Sequence, residues 1–219
     1  MEESKIHDDL ASIRNMMERS SRFLSLSGFS GIMAGVYGLI GAGLAYYIIY
    51  SPAGGLLQRN TYSQDSLSVN GSTPVSVDPS TVTLLLITAF AVLVASLVTV
   101  YVLTSRKAKK QGQALWGKTS KAMLFQMAAP LVTGGLLIII LIARGYWGVV
   151  APACLAFYGL GLIGASTYTY NDIRYLGLCE IALALIAAAL PGYGLFFWAM
   201  GFGVLHIVYG SLMYSKYDR

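Results

Sequence analysis

Arg106-Lys107-Ala108-Lys109-Lys110, continued at Lys118 and Lys121, is the densest charge in a chain that is otherwise mostly hydrocarbon. Apolar runs long enough to cross a bilayer lie on both sides of it. A basic loop between two such runs stays on the cytoplasmic side, so this stretch sets the direction of every other segment. The chain has 219 residues, 56% apolar and only 11% charged. A soluble domain carries about 25% charged residues, so the composition is that of a membrane protein. The formal net charge of +5 does not point to nucleic acid. Its basic residues sit at the ends of apolar runs, where sidedness alone accounts for them.

Outward from the basic stretch, the hydropathy predicts an all-α polytopic membrane protein: a bundle of six transmembrane helices with an amphipathic helix at its N-terminal end. The predicted spans are residues 28–50, 82–103, 122–143, 147–167, 175–190 and 195–214, forming a membrane domain over 28–214. An outer loop takes residues 51–81, the basic cytoplasmic loop 104–121, and a cytoplasmic tail 215–219. The first span has 23 residues without a charge, enough for a ~30 Å hydrocarbon core. Gly31, Gly35 and Gly38 form small-residue rows on it, which let a second helix backbone come close. The second span has no glycine and reads as lipid-facing. Pro130 lies inside the third, where it is expected to kink the helix. The fifth is short, and its start is open between Asp172 and Tyr175.

Sidedness can be counted. Four basic residues in 1–27, six in 106–121, Arg174, Lys216 and Arg219 make thirteen on the proposed inner side. Arg59 and Arg144 make two outside. Both termini are therefore expected in the cytoplasm and the chain in the cell (inner) membrane. The polar, acid-containing first 27 residues do not fit the n-region of a cleaved signal, so the first span is expected to act as an uncleaved anchor.

Residues 1–27 read as the cytoplasmic amphipathic helix. Ile6, Leu10, Ile13 and Met17 recur at helical spacing, interrupted at Ser20. Residues 2–26 are near-balanced in charge, which favours a protein partner over an anionic lipid surface. That partner is a second copy of the chain, the basic loop, or a cytosolic protein; a helix packed on its own membrane domain is the plainer alternative. The outer loop permits a hairpin at Asn70-Gly71.

Tyr37-Gly38-Leu39 in the first span is echoed by Tyr158-Gly159-Leu160 in the fourth, and Ile40-Gly41-Ala42 by Ile163-Gly164-Ala165. Spans one and four cross in opposite directions, so a repeat here is an inverted three-plus-three one. Gly159 is thereby a further candidate for close helix packing, beside Gly31, Gly35 and Gly38.

Two ionisable residues lie deep in spans. Glu180 is 12 residues before the turn at Gly192 and His206 is 14 after it, which places them at depths differing by only ~3 Å on antiparallel neighbours. A lone carboxylate in hydrocarbon is expensive and normally finds a partner or a proton. The functional reading is a proton-sensing or proton-carrying pair; the structural one is a hydrogen bond joining two helices. Asp172 and Arg174 are expected in a polar turn at the cytoplasmic face. No HExxH, P-loop, dinucleotide fingerprint or Gly-x-Ser-x-Gly elbow occurs. Cys154 and Cys179 lie apart within apolar runs and are expected as two small buried residues. No catalytic, cofactor-binding or metal-ligating set emerges, and no cofactor is expected. A small oligomeric transporter or channel with a Glu/His proton pair is the leading expectation. A non-transporting regulator or scaffold, working through the N-terminal helix and the basic loop, is the alternative. A lipid-modifying enzyme ranks below both for want of a catalytic set.

Overall fold

The computed structural model describes residues 27–50, 79–110, 112 and 116–217. Among these the chain is all helical, with no strand. The helices are α1 (Gly28–Tyr50), α2 (Pro79–Lys110), α3 (Lys118–Ala143), α4 (Val150–Ser166), α5 (Asp172–Ala189) and α6 (Gly194–Tyr217). A single 3-10 turn at Trp147–Val149 leads into α4. Helix α6 is composite: α-helical over Gly194–Ala199, a π turn over Met200–Leu205, and α-helical again over His206–Tyr217. The amphipathic segment with Ile6, Leu10, Ile13 and Met17, and the hairpin at Asn70-Gly71, fall outside the described residues.

Five of the helices are long and apolar enough to cross a membrane: α1, α2, α3, the Trp147–Ser166 segment that contains α4, and α6. Helix α5 is apolar over its second half but carries Asp172, Arg174 and Glu180. A soluble fold would bury the apolar faces of its helices. Here Phe90 and Leu97 on α2, and Phe125, Val132 and Ile139 on α3, are each more than half exposed. Continuous apolar faces of this size are what lipid covers. The chain is thus compatible with a multi-pass integral membrane protein.

Several boundaries differ from those read off hydropathy. Helix α2 begins at Pro79, inside the expected outer loop, and runs to Lys110, well into the expected basic loop. Its 32 residues make a rod of ~48 Å, longer than a ~30 Å core needs. Lysine and arginine are good helix formers, so the helix does not stop where the hydrocarbon does. Helix α5 starts at Asp172, so Asp172 and Arg174 stand in its first turn and not in a loop. Asp172 suits that place, because an acid favours the positive end of the helix dipole. Residues 215–217 of the expected tail continue α6. Helix α3 passes through Pro130 without a break. Cys179 is exposed on the outside of α5, and only Cys154 is partly buried.

Helix α1 packs on α2 and α6, and α4 packs on α3 and α5; α6 joins the two sets through α4 and α5. One end of the bundle gathers the start of α1 beside the end of α6, where Gly28 meets the backbone of Tyr214. At the same end Lys107 of α2 reaches Tyr170 in the turn between α4 and α5, and Tyr170 packs against Tyr217 of α6. Successive helices thus alternate in direction.

Glycine lets these backbones touch. A side chain at Gly31 would lie 3.2 Å from the Cα of Gly210, and one at Gly35 would lie 2.6 Å from the carbonyl oxygen of Gly203. Gly38 faces the carbonyl of Phe202. At the α4/α5 crossing, a side chain on Gly159 would lie 2.6 Å from the Gly177 carbonyl oxygen, and one on Gly177 would lie 2.7 Å from that of Gly159. Close contact replaces the hydrophobic drive that lipid does not provide.

Candidate functional site

The π turn of α6 positions His206. Its side chain reaches back five residues, and Nδ1 stands 2.9 Å from the carbonyl oxygen of Gly201 within that turn. Its Nε2 lies 2.7 Å from the hydroxyl of Tyr158 on α4. A carbonyl only accepts, so Nδ1 carries the proton and donates to Gly201. When the imidazole is neutral, Nε2 accepts from the Tyr158 hydroxyl; when it is protonated, Nε2 donates to the same oxygen. In either state the ring is held at both nitrogens. The rings of Tyr158 and Phe202 lie beside it, Tyr158 tilted against both, 5.0 Å from Phe202 and 5.3 Å from His206 between centres.

Glu180 enters from α5. It is fully buried, and its Oε1 lies 3.5 Å from Nδ1 of His206. Neither carboxyl oxygen has a hydrogen-bond partner among the described residues. Gly201 makes the space: a side chain there would overlap Oε2 of Glu180 and lie 2.5 Å from Cδ2 of Leu155. An ionised carboxylate in such a setting costs several kcal/mol of lost solvation, a cost that a bound proton removes. The arrangement offers one proton-binding acid beside an imidazole with a fixed tautomer.

Among the residues singled out from sequence, Glu180 and His206 come together across α5 and α6. Gly159 lies one residue from Tyr158 on α4, and a side chain on it would lie 3.2 Å from Cβ of Glu180. Gly31, Gly35 and Gly38 are apart from the pair, on the α1/α6 seam. Asp172 stands two turns from Glu180 at the bundle's end. It accepts hydrogen bonds of 2.8 Å from Lys216 Nζ and from the hydroxyl of Tyr217. The Lys216 hydrogen bond is the main cause holding its carboxyl below the usual carboxylate range; burial opposes it, and the Tyr217 hydrogen bond and the Lys216 charge add to the lowering. Arg174 is exposed on the same first turn.

Tyr158 and Gly201 were not anticipated. The signal for Tyr158 was its depth, 13 residues after Gly145, matching the depths of Glu180 and His206 below Gly192. Most other tyrosines lie at span ends, where aromatic residues anchor helices, and that pattern hid it. No group of three or more His, Cys, Asp or Glu side chains gathers among the described residues. Set against protein-family models, curated proteins and solved structures, the chain matches none.

Proposed function

We propose that the protein is a six-crossing transporter or channel of the inner membrane in which Glu180 binds and releases a proton beside His206. The observation that carries the reading is the 3.5 Å approach of a fully buried, unpartnered carboxyl to an imidazole held by Tyr158 and Gly201. Buried ionisable groups between helices in lipid are costly and mark ion or proton pathways. The packing scheme adds support. Replacing each helix of the first three by its counterpart in the second three turns the set α2–α1–α6 into α5–α4–α3, and both sets exist. An inverted repeat predicts that correspondence. In each set a disturbed backbone ladder faces a glycine. Pro130 deprives the Gln126 carbonyl of its usual donor, and that oxygen lies 3.2 Å from where a side chain on Gly164 would begin. The π turn likewise presents the Phe202 and Gly203 carbonyls to Gly38 and Gly35.

In this reading α5 crosses with the other five helices, both termini are cytoplasmic, and the end bearing Asp172, Arg174, Lys107 and Lys216 is the inner face. Reconstituted in liposomes, the wild-type chain collapses an imposed pH gradient faster than protein-free vesicles do. Glu180→Gln returns the rate to the leak, and undiminished flux in that variant would end the proposal.

One observation favours a second reading, the regulator or scaffold. Glu180 is shut in completely, with Leu155 and Gly201 against its carboxyl, as a structural pair would be. In that reading residues 2–26, through Ile6, Leu10, Ile13 and Met17, bind a second copy or a cytosolic protein. Deleting residues 2–24 then abolishes the association while the spans stay folded, and unchanged oligomer size and pull-down after the deletion would count against it.

A further inference from the structure

Between the Glu180–His206 pair and the inner end of the bundle lies an interval that the pair alone does not explain. Asp172 and Glu180 are eight residues apart on α5, ~12 Å along the helix. The interval is filled by an apolar cluster of Leu162, Ile173, Leu176 and Met213 with Tyr170. Tyr158 of the buried site and Tyr217 of the end both pack against this cluster, so it separates the one from the other. Tyr209, one turn beyond His206, packs against it too. Its hydroxyl is buried and has no hydrogen-bond partner among the described residues. A buried hydroxyl left without a partner is costly. A water molecule entering the interval would satisfy it.

The end itself is bolted. Lys216 and Tyr217 of α6 both donate to Asp172 of α5 at 2.8 Å. Tyr217 packs tilted against Tyr170 with ring centres 4.1 Å apart. Lys107 of α2 lies over the Tyr170 ring at 5.7 Å and reaches its hydroxyl at 3.5 Å. Three separate helices and the α4–α5 turn are thus tied at one point, with Lys216 exposed, Asp172 part-exposed and the Tyr170 ring buried.

We propose that Asp172, Lys216, Tyr217, Tyr170 and Lys107 form the inner gate of a water route to Glu180, with Leu176 and Met213 as its apolar plug and Tyr209 as its polar stepping point. The inference rests on the proton-linked reading of the pair. In the closed state described here the cluster holds the ends of α5 and α6 together and the interval stays dry. Separation of the two ends hydrates the Tyr209 hydroxyl and opens Glu180 to the cytoplasmic solution.

Access can be read without flux. The full chain in liposomes is treated with a water-soluble carbodiimide and a nucleophile, and modification of Glu180 is followed by mass spectrometry. A lipid-soluble carbodiimide run in parallel reports whether the fold around Glu180 is intact. Asp172→Asn and Lys216→Gln each raise the water-soluble rate roughly fivefold, the size expected when a small bias against the open state is removed. The lipid-soluble rate stays at the wild-type value. Arg144→Gln, at the opposite end, changes neither rate. Tyr209→Phe added to Asp172→Asn takes back most of the gain. Water-soluble rates unchanged in both gate variants, or raised equally by Arg144→Gln, would overturn the gate. Wild-type flux in Glu180→Gln would end the transport reading and leave the labelling result to judge the gate by itself.

Discussion

Gly201 sets how near Glu180 can stand to His206, because the Glu180 carboxyl occupies the place of the missing side chain. Gly201→Ala pushes the carboxyl and Leu155 aside and is expected to cost about 1–3 kcal/mol, as overpacking in a filled interior does. Thermal unfolding in detergent measures it, and an unchanged midpoint would refute this account of the glycine. Tyr158→Phe removes the hydrogen-bond partner of Nε2 while keeping the ring contacts. It is expected to cost about 1 kcal/mol and to shift the imidazole Nε2 resonance in nitrogen NMR; an unmoved resonance would deny the hydrogen bond. Asp172 gives a pH prediction. Its folded carboxyl titrates below the ordinary value, first through Lys216 and then through Tyr217. The stabilisation is therefore fully present above the unfolded value of ~3.9 and is lost only as pH falls through the lower folded value. Carbon NMR of Asp172 should show it ionised throughout the neutral range, with its midpoint raised toward ~3.9 in Lys216→Gln. An unaltered midpoint would mean that Lys216 does not hold it. The depths of Glu180 and His206 were legible by counting from the Gly192 turn. Tyr158 could have been found by the same count but was masked by tyrosines that anchor helix ends. Gly201 could not, because one glycine among many has no distinguishing mark until the partner helix is in place.

Elements were legible where hydropathy changes and illegible where it does not. The five helices long and apolar enough to cross a membrane follow from apolar runs, because lipid demands an unbroken internal hydrogen-bond ladder over a crossing. The ends of α2 and α5 were not, because Ser105–Lys110 and Asp172–Arg174 are polar yet still helical. The π turn at Met200–Leu205 leaves no mark in the composition of Met200-Gly201-Phe202-Gly203. At the α4/α5 crossing the approach is backbone to backbone. Gly159→Ala, placing a methyl group 2.6 Å from the Gly177 carbonyl oxygen, is expected to destabilise by about 1–3 kcal/mol. Gly135, on α3, has open space around it. Gly135→Ala should be neutral or stabilise by up to ~1 kcal/mol through helix propensity. Equal unfolding temperatures for the two variants would show that the crossing is not as close as described.

For the whole molecule, the alternation of helix direction and the correspondence between the packed sets α2–α1–α6 and α5–α4–α3 are what the proposed inverted repeat requires. The sequence echo at Tyr37-Gly38 and Tyr158-Gly159 hinted at this, but glycine-rich helices resemble one another too readily for the echo to decide it. Everything proposed for Glu180 depends on α5 lying across the bilayer with the other helices, although its own charges set it apart from them. Single cysteines at Lys110, Arg144, Asn171 and Tyr193, in a chain whose Cys154 and Cys179 are replaced by serine, measure this directly with a membrane-impermeant thiol reagent on intact cells. The account predicts labelling at Arg144→Cys and Tyr193→Cys only, with Lys110→Cys and Asn171→Cys labelled after the membrane is opened. Labelling of Asn171→Cys and Tyr193→Cys from the same side would contradict it, because α5 would then not cross.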